Sequence, residues 1–320
     1  MELFSIRIQR TFQLVSTMDK SMELKRMQFT GSVWRPPYEA NSLLLQATIG
    51  CSHHRCKFCS LYKDTQFRVA SREEVERNLE IAQLYQPKAR RVFLTGANPF
   101  VLSFEKLKIL ATLIKIYLPE VQNIGCFARI SDIKQKTIEQ LMELRQLGYD
   151  RISIGTESGD DITLSQMNKG YSVMDIVEQC RKLENAGIEY NFTYLIGLAG
   201  KGQGERNAIN TADTFSLLHP YIINVLSLTV FPDTVLYEEI GTGTFVEASE
   251  YERIEEMEMF IERFQPSNCV HLLANTVSNP IPFIGVLPKE RERILKEIQS
   301  IKNNFREEDL RDYRKRIKSL

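Results

Sequence analysis

Residues 42–230 predict an α/β fold in which six parallel strands, each followed by a helix, form an incomplete (β/α)6 TIM-like barrel. Two observations carry this expectation. Short β-rich runs alternate with segments whose apolar residues recur at helical spacing, the signature of parallel βαβ units. Polar residues also recur on one face near the C-terminal ends of successive strands, which suits a barrel opening on a polar cavity. The competing arrangement, a doubly wound sheet, usually makes both faces apolar.

A chain of 320 residues has room for one large α/β domain or two ordinary ones. Lys+Arg and Asp+Glu are both 41, so the net charge of zero draws no polyanion; nucleic acid is unsupported, not excluded. No segment approaches the roughly 18 unbroken apolar residues of a membrane helix. The N-terminus, MELFSIRIQRTFQLV, mixes charges into its apolar residues and lacks a signal-peptide core. A cytoplasmic protein with reduced thiols is expected.

The elements follow in order. Residues 1–40 are a lead-in ending at WRPPYEANS, extended by its paired prolines. SLLLQATIG begins the series as its first strand. A helix from about Ser71 to Tyr85 opens on a Ser71/Glu74 capping box and places Val75, Leu79 and Ala82 on one face. RRVFLTG is the next strand, and a helix over about 103–118 follows it. NIGCFARIS puts Arg129 and Ser131 together, opposite Cys126, Ala128 and Ile130. A helix over about 134–147 ends at Gly148. In RISIGTE, Ser153, Gly155 and Glu157 share one face. A helix over about 172–186 ends at Gly187; EYNFTYLIG then sets Asn191 and Thr193 opposite Phe192, Tyr194 and Ile196. The fifth helix (about 204–218) leads to IINVLSLTV.

After Val230 the rhythm lapses. FPDTVLYEEIGTGTF is turn-rich, 249–264 reads as a helix, and VHLLANTVSNP is a short apolar run. From about Pro288 a charged helix or helix pair closes the chain, with eleven Lys/Arg against seven Asp/Glu in residues 289–320. It reads as a solvated docking helix rather than a nucleic-acid arm. The expected organisation is a lead-in (1–40), a core (41–232) and a mostly helical extension (233–320) covering the barrel opening.

The chemistry-bearing stretch is QATIGCSHHRCKFCSLYK. Cys51, Cys56 and Cys59 are separated by four and two residues, which gathers three soft thiolates on one loop. Such thiolates hold zinc, Cu(I) or an iron–sulfur cluster. A zinc site would take His53, His54 or a distant cysteine as fourth ligand. A cluster would keep one metal open to something other than protein. Cys126 and Cys180 fall at core spacing, and Cys269 stands alone.

A cysteine loop after the first strand of a six-fold βα series resembles the radical S-adenosylmethionine (radical SAM) superfamily, over about residues 40–235. The resemblance implies that Cys51, Cys56 and Cys59 hold three irons of a [4Fe–4S] cluster, with S-adenosylmethionine chelating the fourth. It implies one-electron cleavage of that cofactor to a 5′-deoxyadenosyl radical that abstracts hydrogen from a substrate. An external flavodoxin- or ferredoxin-like electron donor is implied too. Phe58 matches the aromatic residue near the adenine. Gly96 and Ala97, in TGAN, stand where the family usually has a Gly-Gly-Glu-like turn. Arg129 and Ser131 match polar contacts to ribose or carboxylate. RISIGTESGDDITLSQMNKG looks like a segment of the methylthiotransferase, elongator and coproporphyrinogen-dehydrogenase type cores; in it Glu157 and Lys169 match polar residues facing the cofactor. The four-residue first cysteine gap is longer than the commonest three.

On this resemblance the chain is an enzyme whose substrate the motifs do not name. A methylthiotransferase needs a further cysteine-bearing domain and a cobalamin enzyme a large N-terminal one, which 40 residues do not supply. The alternative from another class is a non-enzymatic iron–sulfur or zinc protein, an electron carrier or sensor, on the same fold.

Overall fold

The computed structural model of the chain describes residues 26–280 and 282–318. The readings made for residues 1–25, including the missing signal-peptide core, lie outside that range, as does the helix expectation for residues 319–320.

Six parallel strands make the core: β1 (Leu43–Gln46), and, after the hairpin β2 (Thr48–Ile49) and β3 (Arg68–Val69), β4 (Arg91–Thr95), β5 (Asn123–Ala128), β6 (Ile152–Glu157), β7 (Tyr190–Ile196) and β8 (Ile222–Ser227). They neighbour one another in chain order, as in a barrel and unlike a doubly wound sheet, whose strand order reverses. Two further strands, β9 (Val270–Leu273) and β10 (Ile284–Leu287), continue the sheet beyond β8, β9 parallel and β10 antiparallel. The eight-stranded sheet stays open between β1 and β10, so the barrel is incomplete.

The helices follow the capping signals. Ser71 accepts from the Glu74 N–H and heads α1 (Arg72–Tyr85); Ser103 heads α2 (Phe104–Tyr117). The helix expected over about 134–147 is two. Short α3 (Ile130–Lys134) is followed by α4 (Ile138–Gln146), because Thr137 accepts from the Gln140 N–H and starts a new helix. Arg129 and Ser131, expected at the end of the NIGCFARIS strand, therefore lie beyond β5: Arg129 caps α3 and Ser131 lies within it. Helix α5 (Asp161–Gln166) was not foreseen, whereas α6 (Val173–Asn185) and α7 (Gly204–Ser216) were.

The extension supplies α8 (Val235–Gly241), inside the stretch expected to be turn-rich, then α9 (Glu250–Arg263), the strand pair, α10 (Arg291–Asn304) and α11 (Glu307–Arg316). Helix α9 lies along α7 and β7. The buried Arg314 of α11 donates to Ser227 Oγ at the end of β8 (2.8 Å) and to Glu250 (2.6 Å). Among the described residues no helix is long and apolar enough to cross a membrane.

Alternation along the strands separates two environments. Leu43, Leu45, Val92, Leu94, Cys126, Ile152, Ile154, Phe192 and Val225 point outward into one continuous core under the helices. The opposite residues, Gln46, Phe93, Thr95, Ser153, Asn191 and Asn224, face the lumen.

Candidate active site

The cysteine loop leaves β2 and returns as β3, whose antiparallel pairing (Thr48 opposite Val69, Ile49 opposite Arg68) ties residues 50–67 to the C-terminal end of β1. Three separate segments clamp it. The Lys57 N–H donates to Met167 O (3.3 Å), the Leu236 N–H of α8 donates to Lys57 O (2.9 Å), and the Ser52 N–H donates to Asn98 Oδ1 (3.2 Å). The Lys57 ammonium also pairs with Glu239 of α8. Burial pushes the Cys59 thiol up to about 12 and the Cys56 thiol upward too. Bound metal would take the place of those protons.

Phe58 packs into a small apolar cluster at the lumen mouth with Met167, Leu195, Leu198, Leu228 and Leu236. Its ring also faces the Lys169 ammonium, 5.7 Å from the centroid. Lys169 is buried; its Nζ donates to Gly155 O (2.8 Å) and lies 3.5 Å from the Glu157 carboxylate. Burial pushes Lys169 down, but Tyr171, Glu157 and Cys56 outweigh it, so the ammonium stays charged. Burial pushes the Glu157 carboxyl upward, with Lys169 opposing.

The aim of Glu157 is set by backbone. The β6–β7 register shifts between Ile154 and Glu157, and Glu157 takes φ +66°, a conformation L residues adopt at a cost of about 1–3 kcal/mol. Gly155 makes room for it: a Cβ there would come 2.8 Å from Glu157 Oε1.

Arg129 reaches the same rim. Its Nη1 donates to Ser131 Oγ (3.0 Å), its Nη2 to Lys169 O, and its guanidinium lies 5.6 Å from the Tyr171 ring. Phe58, Arg129, Ser131, Glu157 and Lys169 are thus within one connected group, and Cys56 lies close enough to feel the charges of Lys169, Arg129 and Glu157.

Gly96 and Ala97 join the group through the loop, not through side chains. The Ala97 N–H donates to Gly50 O (3.3 Å). Gly96 has φ +122°, and a Cβ on it would stand 2.4 Å from Thr48 O. Gly96→Ala is therefore expected to cost about 2–4 kcal/mol, from strain plus a backbone clash. A urea titration against the parent measures it; an unchanged midpoint would contradict the close packing of this turn on β2.

Motif matching passed over Asn98, Asp132 and Tyr171. Asn98, fully buried, donates from Nδ2 to Ser52 Oγ (2.7 Å) and to Asp132 Oδ2 (3.0 Å). Asp132 Oδ2 accepts the Arg129 N–H (2.8 Å). A continuous chain of hydrogen bonds so runs from the residue after Cys51 through Asn98, Asp132, Arg129 and Lys169 to Glu157. Tyr171 donates to Gly155 O (2.7 Å) and carries Arg129 and Lys169 on its ring, each at 5.6 Å. The signal for Asn98 was its place in TGAN, and for Tyr171 its place directly after MNKG. His53 is docked by its Nε2 on Asn168 O (2.6 Å), which holds the loop against that same segment.

Comparison with known proteins agrees with this arrangement. Heme chaperone HemW of Bacillus subtilis is 26% identical over 200 residues, 59% of this chain and 51% of its own length. The tRNA-2-methylthio-N(6)-dimethylallyladenosine synthase of Dehalococcoides mccartyi is 27% identical over 185 residues, 54% of this chain and 42% of its own. The chain thus spans about half the length of these relatives. The structure of the radical S-adenosylmethionine methyltransferase TsrM from Kitasatospora setae, solved with cobalamin and a [4Fe–4S] cluster bound, shares the fold with a TM-score of 0.53. The identity is 19%, and the overlap covers 63% of this chain and 37% of that one. The family model for the radical SAM superfamily, whose members bind a [4Fe–4S] cluster and S-adenosylmethionine, matches residues 45–215, just over half of the sequence. This chain belongs to the radical SAM superfamily.

Proposed function

We propose that this chain is an enzyme in which Cys51, Cys56 and Cys59 hold three corners of one [4Fe–4S] cluster and Arg129, Ser131, Glu157 and Lys169 receive S-adenosylmethionine. The observation that carries this reading is the joining of the cysteine loop to those four side chains in one hydrogen-bonded rim at the strand ends. The donor set fits. Soft thiolates suit iron, and the rim offers both a carboxylate and cations to the charged methionine end of the cofactor. The thiols of Cys51 and Cys56 lie near enough to bear on that of Cys59.

When bound, these groups supply one electron and a 5′-deoxyadenosyl radical able to take hydrogen from a substrate. The chain's own part is position and dryness. Asn98 and α8 fix the loop, Lys169 holds Glu157 toward the cofactor, and Phe58 with the leucines at the mouth excludes water. A flavodoxin- or ferredoxin-like donor delivers the electron, and the substrate enters the lumen between Phe127, Thr193 and Leu226, which are half-buried.

Anaerobically reconstituted protein given dithionite and S-adenosylmethionine is expected to form 5′-deoxyadenosine and methionine in equal amounts. An intact cluster that repeatedly yields neither would leave the non-enzymatic iron–sulfur reading in its place.

A further inference from the structure

We propose that Glu256, on α9 of the C-terminal extension, is a positioning residue for S-adenosylmethionine. Through Tyr194 and Asn207 it fixes the segment that carries Glu157, and so the aim of that carboxylate. This rests on the reading above, that Glu157 receives the cofactor, and it extends the site beyond residues 45–215 of the family match.

Glu256 is 1% exposed, and a carboxylate so buried is costly unless donors meet it. Three do, from three places in the chain. Tyr194 Oη on β7 donates to Oε1 (2.8 Å), Asn207 Nδ2 on α7 donates to the same oxygen (2.7 Å), and the Gly197 N–H, just past β7, donates to Oε2 (2.8 Å). Burial pushes the Glu256 carboxyl up to about 7, and these three bonds oppose it.

Two of the donors lead to Glu157. Tyr194 is its partner across the β6–β7 ladder, at the point where the register shifts. Asn207 holds the next residue, since Ser158 Oγ donates to Asn207 Oδ1 (2.5 Å). Ser158, Tyr194 and Asn207 are all 0% exposed. Glu256 also decides which way the Asn207 amide faces. A carboxylate only accepts, so it takes the NH2 side and leaves the oxygen for Ser158.

The residues after Glu157 have to be held, because Glu157 itself sits at φ +66° and gains nothing locally from staying there. Helix α7 holds them with a polar stripe at helical spacing. Arg206 and Asn210 donate to the Asp160 carboxylate (3.2 and 2.8 Å). Thr211 Oγ1 accepts the Gly159 N–H (2.9 Å), and Thr214 Oγ1 donates to Gly159 O (3.0 Å). Gly159 lets the segment lie this close, since a Cβ there would stand 2.8 Å from Thr211 Cα. Glu256 is thus the extension's grip on both neighbours of Glu157: the residue across the ladder and the residue after it.

Calorimetric titration of the reconstituted protein with S-adenosylmethionine, without reductant, tests this. Glu256→Leu, Asn207→Leu and Ser158→Ala, the mildest of the three, are each expected to keep their iron and bind the cofactor about tenfold more weakly. In a Glu157→Gln background Glu256→Leu should weaken binding no further, because the group it aims is already gone. Amide hydrogen exchange, read with no cofactor present, should be about tenfold faster at Gly159 and Asp160 in Glu256→Leu and unchanged in β4. Parental affinity in all three variants would overturn the assignment, as would unchanged exchange at Gly159 and Asp160, or an undiminished loss in the Glu157→Gln background. An equal loss in Ile298→Ala, which opens a cavity in the core under α10, would overturn it too, by making the effect general loosening. A parent protein that does not bind S-adenosylmethionine would tell against the enzyme reading instead, and exchange at Gly159 and Asp160 would then decide the link from Glu256 by itself.

Discussion

Replacing Cys51, Cys56 or Cys59 by alanine is expected to lower bound iron from about four per chain to below one, and 5′-deoxyadenosine formation to background. Each cysteine holds one corner of the cluster on this account, and a loop with two thiolates leaves two irons without protein ligands. The loop has few ways to compensate. His53 is committed to Asn168 O, and the other cysteines are elsewhere: Cys126 and Cys180 are buried in the outer core, and Cys269 is exposed near the far edge of the sheet. Cys180→Ala and Cys269→Ala are therefore the controls and should keep their iron. Iron and sulfide analysis of the five variants checks this; full iron in any of the first three would remove that cysteine from the ligand set.

Lys169→Met is expected to destabilise the protein by about 3–5 kcal/mol, because it leaves the Glu157 carboxylate buried without its cation. The ammonium is 3.5 Å from that carboxylate, and the pair is shielded, with side chains only 5% and 14% exposed. The same substitution removes the donor to Gly155 O and the cation on the rings of Phe58 and Tyr171. Adding Glu157→Gln to Lys169→Met should return a large part of the loss, since a neutral amide no longer needs the ammonium. Urea unfolding of the two single variants and the double variant measures the coupling. If the losses simply add, the two side chains do not act as a pair.

The βα rhythm was legible because each signal is local: a capping box at Ser71, a glycine after each of two helices, alternation in RISIGTE. The site was legible as far as motifs reach. Arg129 and Ser131 are neighbours as expected, although the chain there has already turned into α3 at Arg129, since Asp132 caps the Arg129 N–H. What was not legible depends on contacts between residues distant in sequence. Asn98 finds Ser52 and Asp132 across 46 and 34 residues, and Tyr38 finds Ser153 across 115. Helix α8 hides in a turn-rich stretch because it is held by the cysteine loop: Leu236 bonds Lys57, and Glu239 pairs with the same residue. The lead-in showed no catalytic pattern, yet its Tyr38 and Glu39 reach Ser153 and Arg91 on the strands.

The cluster itself decides the central claim. Electron paramagnetic resonance of the dithionite-reduced protein should show a single [4Fe–4S]+ signal whose g values shift when S-adenosylmethionine is added, because the fourth iron gains that ligand. A spectrum unmoved by S-adenosylmethionine, or native protein that carries zinc in place of iron and sulfide, would contradict it.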